Sequence, residues 1–176
     1  AILSVSNQFD LSKIVTISIV RTLKSYGIEA KIKWPNDVYV HDKKIAGVLI
    51  ENQISGQNLK SSIIGIGLNL NQTEFEGLNA TSLRNEINDF VPVYDFALSL
   101  INQFNSCWVM LEQGEVGEIN RLYLHDFYLL DQSHSFRDKE GPFLGKIKGV
   151  AENGFLILES VERSKVFYDL KEVSFF

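Results

Sequence analysis

The residues of this chain that could do chemistry fall in three short segments. They are Lys33–Asp37 (KWPND), Lys44–Gly47 (KIAG) and Gly65–Asn71 (GIGLNLN). Together they supply two ammonium groups, a carboxylate, amide side chains, and glycines whose backbone is not covered by a side chain. Such a set suits an anionic ligand, because positioned ammonium groups stabilise the charge that develops on phosphoryl oxygens during activation of an acid by ATP.

A helix and a strand are predicted to precede the first segment. Apolar residues recur every three or four positions over residues 11–26, which indicates an amphipathic helix with Asp10 as its N-cap and Gly27 at its end. Residues 29–34 alternate between polar and apolar, so they form a half-buried strand with Lys33 on its polar face.

A hairpin is expected to bring the first two segments together. Pro35 cannot donate a hydrogen bond to a β-ladder, so the strand should end there and leave Asp37 in a turn. The polar block 41–44 is typical of a hairpin tip, and it leads into a strand over residues 45–52. This path returns Lys44 to the end of the sheet that carries Asp37.

The third segment belongs to a predicted strand over residues 61–71. Alternation places Gly65, Gly67, Asn69 and Asn71 on one face of that strand. Glycine repeated on a single face is typical of a strand that a ligand or another backbone approaches closely. Close packing of a helix against a flat sheet explains the same pattern, and the sequence leaves both interpretations open.

The remainder of the chain divides into helices and then strands. Helical periodicity predicts a long helix over residues 96–111 and a shorter one ending near residue 128. From Ser133 onward, short strand-like runs alternate with turn residues. These runs are 143–150, 154–160, 165–168 and 172–175. We therefore expect a larger α+β domain over residues 1–130 and a small SH3-like β-barrel over residues 131–176, packed on the larger domain because it is too short to be stable alone.

Composition and charge exclude several classes of function. The 176 residues contain no run of eighteen apolar residues that would span a bilayer, and the net charge of -5 argues against sequence-independent binding of nucleic acid. The single cysteine, Cys107, lies in a helical apolar series and is predicted to be buried; we expect a reducing, cytoplasmic setting. The sequence has no zinc-ligand spacing, serine-hydrolase elbow, Walker motif or Rossmann fingerprint.

In combination, the three segments resemble the motifs of the biotin protein ligases, the biotin–acetyl-CoA-carboxylase ligases. Residues 33–37 are similar to that family's K-W-P-N-D segment, residues 44–51 to its K-(L/I)-A-G-(I/V)-L-(V/I)-E strand, and residues 65–71 to its G-x-G-(I/L)-N strand. Residues 171–175 are similar to the end of its C-terminal SH3-like domain. The resemblance implies a mixed-sheet, SH2-like catalytic domain, of the kind related to class II aminoacyl-tRNA synthetases.

The resemblance also implies a reaction in two steps. Biotin and MgATP give biotinyl-5'-AMP and pyrophosphate, and a lysine of a biotin carboxyl carrier protein then attacks the mixed anhydride and releases AMP. Lipoyl or octanoyl ligases and transferases share the fold and are one alternative. A non-catalytic module that binds the carrier protein or forms dimers is another, and a homodimer is left open for the ligase itself.

Particular roles follow at the positions that match the family. Lys44 would contact the biotin carboxylate and the phosphoryl oxygens, Lys33 would add positive charge near the phosphates, and Asp37 would orient Mg²⁺ or a lysine. The implied substrate-binding residues are Gly47, Val48 and Leu49 beside the biotin ring, and Gly65, Gly67 and Asn69 beside the adenylate.

One part of the family pattern is not found. The family's Gly-Arg-rich loop, which folds over biotin and the adenylate, lies upstream of the matched region, and the chain contains no Gly-Arg dipeptide and does not begin with Met. The resemblance therefore implies an N-terminally incomplete ligase. We expect these 176 residues alone to bind biotinyl-adenylate weakly or not at all.

Overall fold

The computed structural model describes residues 3–5, 8–160 and 164–175. In these ranges the chain forms four α-helices and two antiparallel sheets. The helices are α1 (Phe9–Ser25), α2 (Leu83–Ile87), α3 (Val93–Glu112) and α4 (Val116–His125). The first sheet contains, in spatial order, β1 (Ala30–Lys33), β2 (Asp37–Val40), β3 (Lys43–Ser55) and β4 (Asn58–Leu68). The second contains β5 (Ser133–Asp138), β6 (Gly141–Val150), β7 (Leu156–Glu159), β8 (Val166–Tyr168) and β9 (Ser174–Phe175).

Helix α1 begins earlier than the sequence pattern predicts, and the expected N-cap is wrong. Asp10 lies inside the first turn rather than before it. Its carboxylate is 2.8 Å from the Nζ of Lys13, and both side chains are buried. Lys13 also donates a 2.6 Å hydrogen bond to Asn120 on α4. The carboxylate therefore pairs with a buried ammonium group that ties the two helices together.

The first sheet is antiparallel throughout its described strands, so the expected mixed sheet is wrong for this part of the chain. Short hairpins connect β1 to β2, β2 to β3 and β3 to β4, and a hairpin can only give antiparallel neighbours. Parallel pairing is limited to isolated bridges, such as Ile32 with Phe127 and Lys44 with Ala80. The predicted α+β class is confirmed.

The two faces of the first sheet differ as the alternation predicts. The apolar face of β1 to β3 is buried, and α1 packs against these strands. The buried positions on it include Ala30, Ile32, Val38, Val40, Ala46 and Val48. The opposite face carries Lys33 and Asp37, which are only partly buried. Burial of one face fixes the register, because a slip by one residue would exchange the faces.

The second sheet is open over the described residues, with β8 and β9 at its edges. The SH3-like barrel therefore stays a prediction. Strand β5 was not predicted, because Phe136 is the only fully buried residue in a mostly polar sequence and gives no clear alternation. Short α2 was also missed within a polar loop; Ser82 caps it by accepting a 3.1 Å hydrogen bond from the backbone N–H of Asn85.

Trp34 connects the first sheet to the second part of the chain. Its side chain is buried, and its indole N–H donates a 2.8 Å hydrogen bond to the carbonyl of Gly154. Leu130 forms an isolated bridge with Ile147.

Cys107 is buried, as expected. No helix among the described residues is long and apolar enough to cross a membrane.

We predict that Trp34→Phe lowers the free energy of unfolding by about 1 to 3 kcal/mol, because the Gly154 carbonyl loses its donor. Trp108→Phe, on the half-buried side of α3, is the matched control. Chemical denaturation followed by circular dichroism measures both variants. Equal stability of the two would contradict a bond that holds the two parts of the chain together.

Candidate functional site

The candidate site begins with four residues that lie in one line across the first sheet. Lys33 pairs with Asp37, Asp37 with Gly47, and Gly47 with Gly67. Directly paired residues of antiparallel strands present their side chains to the same face. One cation, one carboxylate and two bare backbone positions are therefore neighbours on the face that α1 leaves uncovered.

A β-bulge brings Lys44 onto this same face. Residues three positions apart in a regular strand point to opposite faces, so Lys44 and Gly47 would be separated. The register between β2 and β3 shifts at Val38 and Tyr39, and Ile45 and Ala46 are both buried in succession. The extra residue reverses the alternation, which places Lys44 beside Asp37.

Lys44 and Asp37 form an ion pair directly above Gly47. The Nζ of Lys44 is 2.6 Å from the Oδ1 of Asp37. A Cβ added at Gly47 would lie 3.1 Å from that oxygen and 3.2 Å from the Nζ. These distances are tighter than ordinary contacts, so a side chain at this position would displace the pair. The glycine is therefore what allows the pair to lie flat on the sheet.

A groove of about 430 Å³ opens beside this ion pair. It is shallow, and residues of three strands and one turn line it. The lining residues are Asn36, Asp37, Lys44, Gly47, Val48, Leu49, Gly65, Ile66 and Gly67. Seven of the nine site residues predicted from sequence are thus brought together; Lys33 and Asn69 are not among the lining residues.

Gly65 and Gly67 form an open floor rather than a packing surface. Both are exposed. A Cβ added at Gly65 would lie 3.6 Å from the backbone oxygen of Leu49 and 4.0 Å from its Cβ, and one added at Gly67 would lie 3.8 Å from the backbone oxygen of Gly47. Among the described residues no helix covers these glycines, so of the two interpretations left open by the sequence, the structure favours close approach of a ligand.

Asn36, which sequence reasoning did not select, braces the groove. The backbone N–H of Val48 donates a 2.9 Å hydrogen bond to the carbonyl of Asn36, and the Asn36 amide donates a 2.5 Å hydrogen bond back to the carbonyl of Val48. Both backbone groups of Val48 are therefore engaged, and its side chain is buried. The contribution of Asn36 to the groove is structural support, and the sequence signal for it is its place in the K-W-P-N-D segment.

Asn69 lies beyond the end of β4, outside the groove. Its side-chain amide donates a 3.0 Å hydrogen bond to the carbonyl of Thr81, and its backbone N–H donates a 2.9 Å hydrogen bond to the carbonyl of Ile45. These bonds anchor the end of β4 to β3 and to the following loop. The alternation placed Asn69 on the glycine face only because the strand was expected to continue to residue 71.

Lys33 lies at the edge of the site, surrounded by aromatic rings. Its Nζ is 4.5 Å from the ring centroid of Tyr39, 4.8 Å from that of Phe175 and 5.6 Å from that of Tyr128. Burial lowers the pKa of Lys33 below its usual value, while the nearby charge of Asp37 opposes that shift. Sequence reasoning found this lysine but not its three rings, of which Tyr128 and Phe175 come from distant parts of the chain.

The donor set of the site offers little to a metal ion. No group of three or more His, Cys, Asp or Glu side chains that could hold a metal occurs in the part of the chain that the structure describes. Asp37 is the one carboxylate lining the groove, and it is paired with Lys44. A divalent ion here would need most of its ligands from a bound molecule.

Comparisons with known proteins agree with the three motif segments. Residues 4–69 match the model of the biotin/lipoate A/B protein ligase family. The bifunctional ligase/repressor BirA of Bacillus subtilis is 29% identical over 167 residues, which cover 90% of this chain and 50% of that protein. BirA of Escherichia coli is 34% identical over 61 residues, covering 34% of this chain and 19% of that protein. The chain thus spans about half the length of the Bacillus relative.

Solved structures match over nearly the whole chain. Biotin protein ligase from Aquifex aeolicus in complex with biotin and ATP superposes with a TM-score of 0.78 and 25% identity, covering 98% of this chain and 75% of that one. The fold is therefore that of a biotin protein ligase. Together with the match of residues 4–69 to the family model, this confirms the resemblance of the chain to biotin protein ligases.

We predict that Asp37→Asn changes the free energy of unfolding by less than about 1 kcal/mol, because exposed ion pairs contribute little. The Lys44 and Asp37 side chains are 44% and 24% exposed. Asp10→Asn is the contrasting control, since it leaves the buried Lys13 ammonium group without a carboxylate partner and should cost about 3 to 5 kcal/mol. Urea denaturation measures the free energy of unfolding of both variants. A large decrease in Asp37→Asn would show that the Asp37–Lys44 pair serves stability.

Proposed function

We propose that the natural protein carrying these 176 residues is an ATP-dependent biotin protein ligase. It activates biotin as biotinyl-5'-AMP and transfers it to a lysine of a biotin carboxyl carrier protein. The observation that carries the proposal is the Asp37–Lys44 ion pair above Gly47, since all three residues occupy positions that match the family's motifs. The Aquifex relative with biotin and ATP bound supports the choice of substrates.

In the first step, a carboxylate oxygen of biotin attacks the α-phosphorus of ATP and pyrophosphate leaves. Negative charge grows on the phosphoryl oxygens, and the Lys44 ammonium group stabilises it at the end of the groove. Asp37 holds that ammonium group in place at 2.6 Å, so it needs little reorganisation as the reaction proceeds. The glycine floor lets the ligand lie close to the backbone.

Mg²⁺, when bound, supplies further neutralisation of the phosphate charge. Asp37 is the groove residue that would offer it an oxygen. Because Mg²⁺ is commonly held by one or two carboxylates and by substrate phosphates, a single carboxylate fits an ion that arrives with the nucleotide. The described side chains do not form a metal site by themselves.

In the second step, the amine of a carrier lysine attacks the acyl carbon of the adenylate, AMP leaves, and the amine loses a proton. The open groove leaves room for this approach, and exposed Leu49 and Ile63 lie on the same face as the glycines.

The remaining expectations stay part of this proposal. They are a catalytic domain over residues 1–130, an SH3-like domain over residues 131–176 and a cytoplasmic location.

A second candidate is activation of lipoate or octanoate, because the matching family model covers biotin and lipoate ligases together. The chemistry at the carboxylate is the same for these acids, so the Lys44 site does not separate them. Competition does. Biotin should displace a lipoyl-adenylate analogue from the protein, whereas preferential binding of lipoate would assign the second function.

We predict that Lys44→Ala slows biotin-dependent ATP–pyrophosphate exchange. The loss of a positioned charge contact should raise the activation free energy by about 2 to 4 kcal/mol. Lys43→Ala is the matched control, since Lys43 is an exposed lysine one position earlier. The assay uses the natural protein with labelled pyrophosphate. Full exchange by Lys44→Ala would refute the assignment of this lysine.

We also predict that Gly67→Ala weakens binding of biotinyl-5'-AMP about tenfold, or about 1.4 kcal/mol, because the methyl group rises from the groove floor. Stability should be unaffected, since the added Cβ makes an ordinary contact. Gly117→Ala in α4, where an added Cβ meets nothing within 4 Å, is the control. Calorimetry on the natural protein measures the affinity; unchanged binding by Gly67→Ala would place the ligand elsewhere.

A further inference from the structure

Three rings from separate elements enclose the ammonium group of Lys33. Tyr39 is on β2, Tyr128 follows α4 and Phe175 is on β9 of the second sheet. We call these three residues the aromatic cage. A cation placed over ring faces within about 6 Å is attracted by the negative charge of the π-systems. The Nζ of Lys33 is within this distance of all three ring centroids, so the ammonium group is most favourably placed among these rings.

Further contacts hold the cage together. The rings of Tyr39 and Tyr128 lie 5.5 Å apart, and the hydroxyl of Tyr128 donates a 2.7 Å hydrogen bond to Asp42 at the tip of the β2–β3 hairpin. Burial, with help from this bond, raises the pKa of Tyr128 to about 12, so its hydroxyl stays protonated. Phe175 in turn packs on Phe136, with ring centroids 5.4 Å apart.

The cage lies directly beside the candidate site. Lys33 pairs with Asp37 across the sheet, and Tyr39 pairs with Lys44. Asp37 and Asp42 attract the Lys33 ammonium group, and Lys44 repels it. A lysine side chain that is free in water samples many rotamers, and ordering it during a reaction is costly. Contacts with the three rings restrict that freedom before any ligand binds.

We propose that Tyr39, Tyr128 and Phe175 are positioning residues that hold Lys33 as the second cation of the adenylation site. Through Phe175, the second sheet then takes part in the activation step, although it lines no part of the groove. This inference rests on the proposed function and extends it, because it assigns a task to residues outside the three motif segments. The geometry brings these residues together from positions 39, 128 and 175, which no local motif connects.

The first test reads the cage without any ligand. In a ¹³C-resolved NMR spectrum, the ε-methylene protons of Lys33 should be shifted upfield by the rings relative to those of exposed Lys43. Tyr39→Leu and Phe175→Leu should each move this resonance towards that of Lys43, whereas Phe167→Leu, an exposed ring on β8, should not. A Lys33 resonance that already coincides with Lys43 would refute the cage.

The second test asks whether the cage acts on the reaction through Lys33. In biotin-dependent ATP–pyrophosphate exchange by the natural protein, Phe175→Leu and Tyr39→Leu should lower kcat about tenfold to a hundredfold while leaving the KM for biotin unchanged. Tyr39→Phe keeps the ring and removes only the 3.5 Å hydrogen bond from the Lys33 Nζ to the Tyr39 hydroxyl, so it should retain most of the kcat that Tyr39→Leu loses. In a Lys33→Met background, Phe175→Leu should cause no further loss, because the lysine it positions is gone.

The outcomes separate the two proposals. Additive losses in the double variant would make Phe175 a purely structural residue and overturn the cage proposal. Full activity of Lys33→Met alongside a loss in Lys44→Ala would also overturn it, but would leave the proposed ligase function intact. Full activity of both lysine variants would contradict the ligase function itself. Tyr39→Leu provides the same test in the first sheet if Phe175→Leu disturbs the packing around Phe136.

Discussion

The site depends on the β-bulge between β2 and β3. Without it, the alternation of a regular strand would turn Lys44 to the buried face, where an unpaired ammonium group is costly. The bulge instead lets Ile45 and Ala46 be buried in succession and returns Lys44 to the open face. The Asp37–Lys44 ion pair, the glycine beneath it and the groove beside it all follow from this one extra residue. Bulges are common next to active sites for this reason, because they redirect a side chain without breaking the sheet.

Two further constraints keep this face of the sheet available. Burial of the opposite face under α1 fixes the register, which aligns Lys33, Asp37, Gly47 and Gly67. The mutual hydrogen bonds of Asn36 and Val48 then tie the turn after Pro35 to β3. The site is thus preformed by backbone pairing rather than by flexible side chains. Preformed charge and backbone are what an adenylation site requires, because reorganisation during the reaction is costly.

Sequence reasoning located most of this arrangement, since the relevant signals are local. Alternation identified the buried and open faces of β1, and repeated glycine on β4 indicated the floor of the groove. It could not locate the bulge, because two buried residues in succession look like any apolar pair in a strand. It placed Asn69 on the glycine face because the strand was expected to continue to residue 71, and the role of Asn69 beside the adenylate stays a prediction. It took Asp10 for an N-cap because aspartate is a favoured cap residue in front of an apolar helical series. Two of the three contacts of the cage around Lys33, those with Tyr128 and Phe175, join residues far apart in the chain, for which a single sequence gives no signal.

The central claim is that Lys44, Asp37 and the glycines form the phosphate end of an adenylate site. The most direct measurement is a crystal structure of the natural protein with a non-hydrolysable analogue of biotinyl-5'-AMP. The account predicts a phosphoryl oxygen of the analogue within about 3 Å of the Lys44 Nζ, with the ligand lying over Gly47 and Gly67. An analogue bound away from this face of the first sheet, with the Asp37–Lys44 pair untouched, would contradict it.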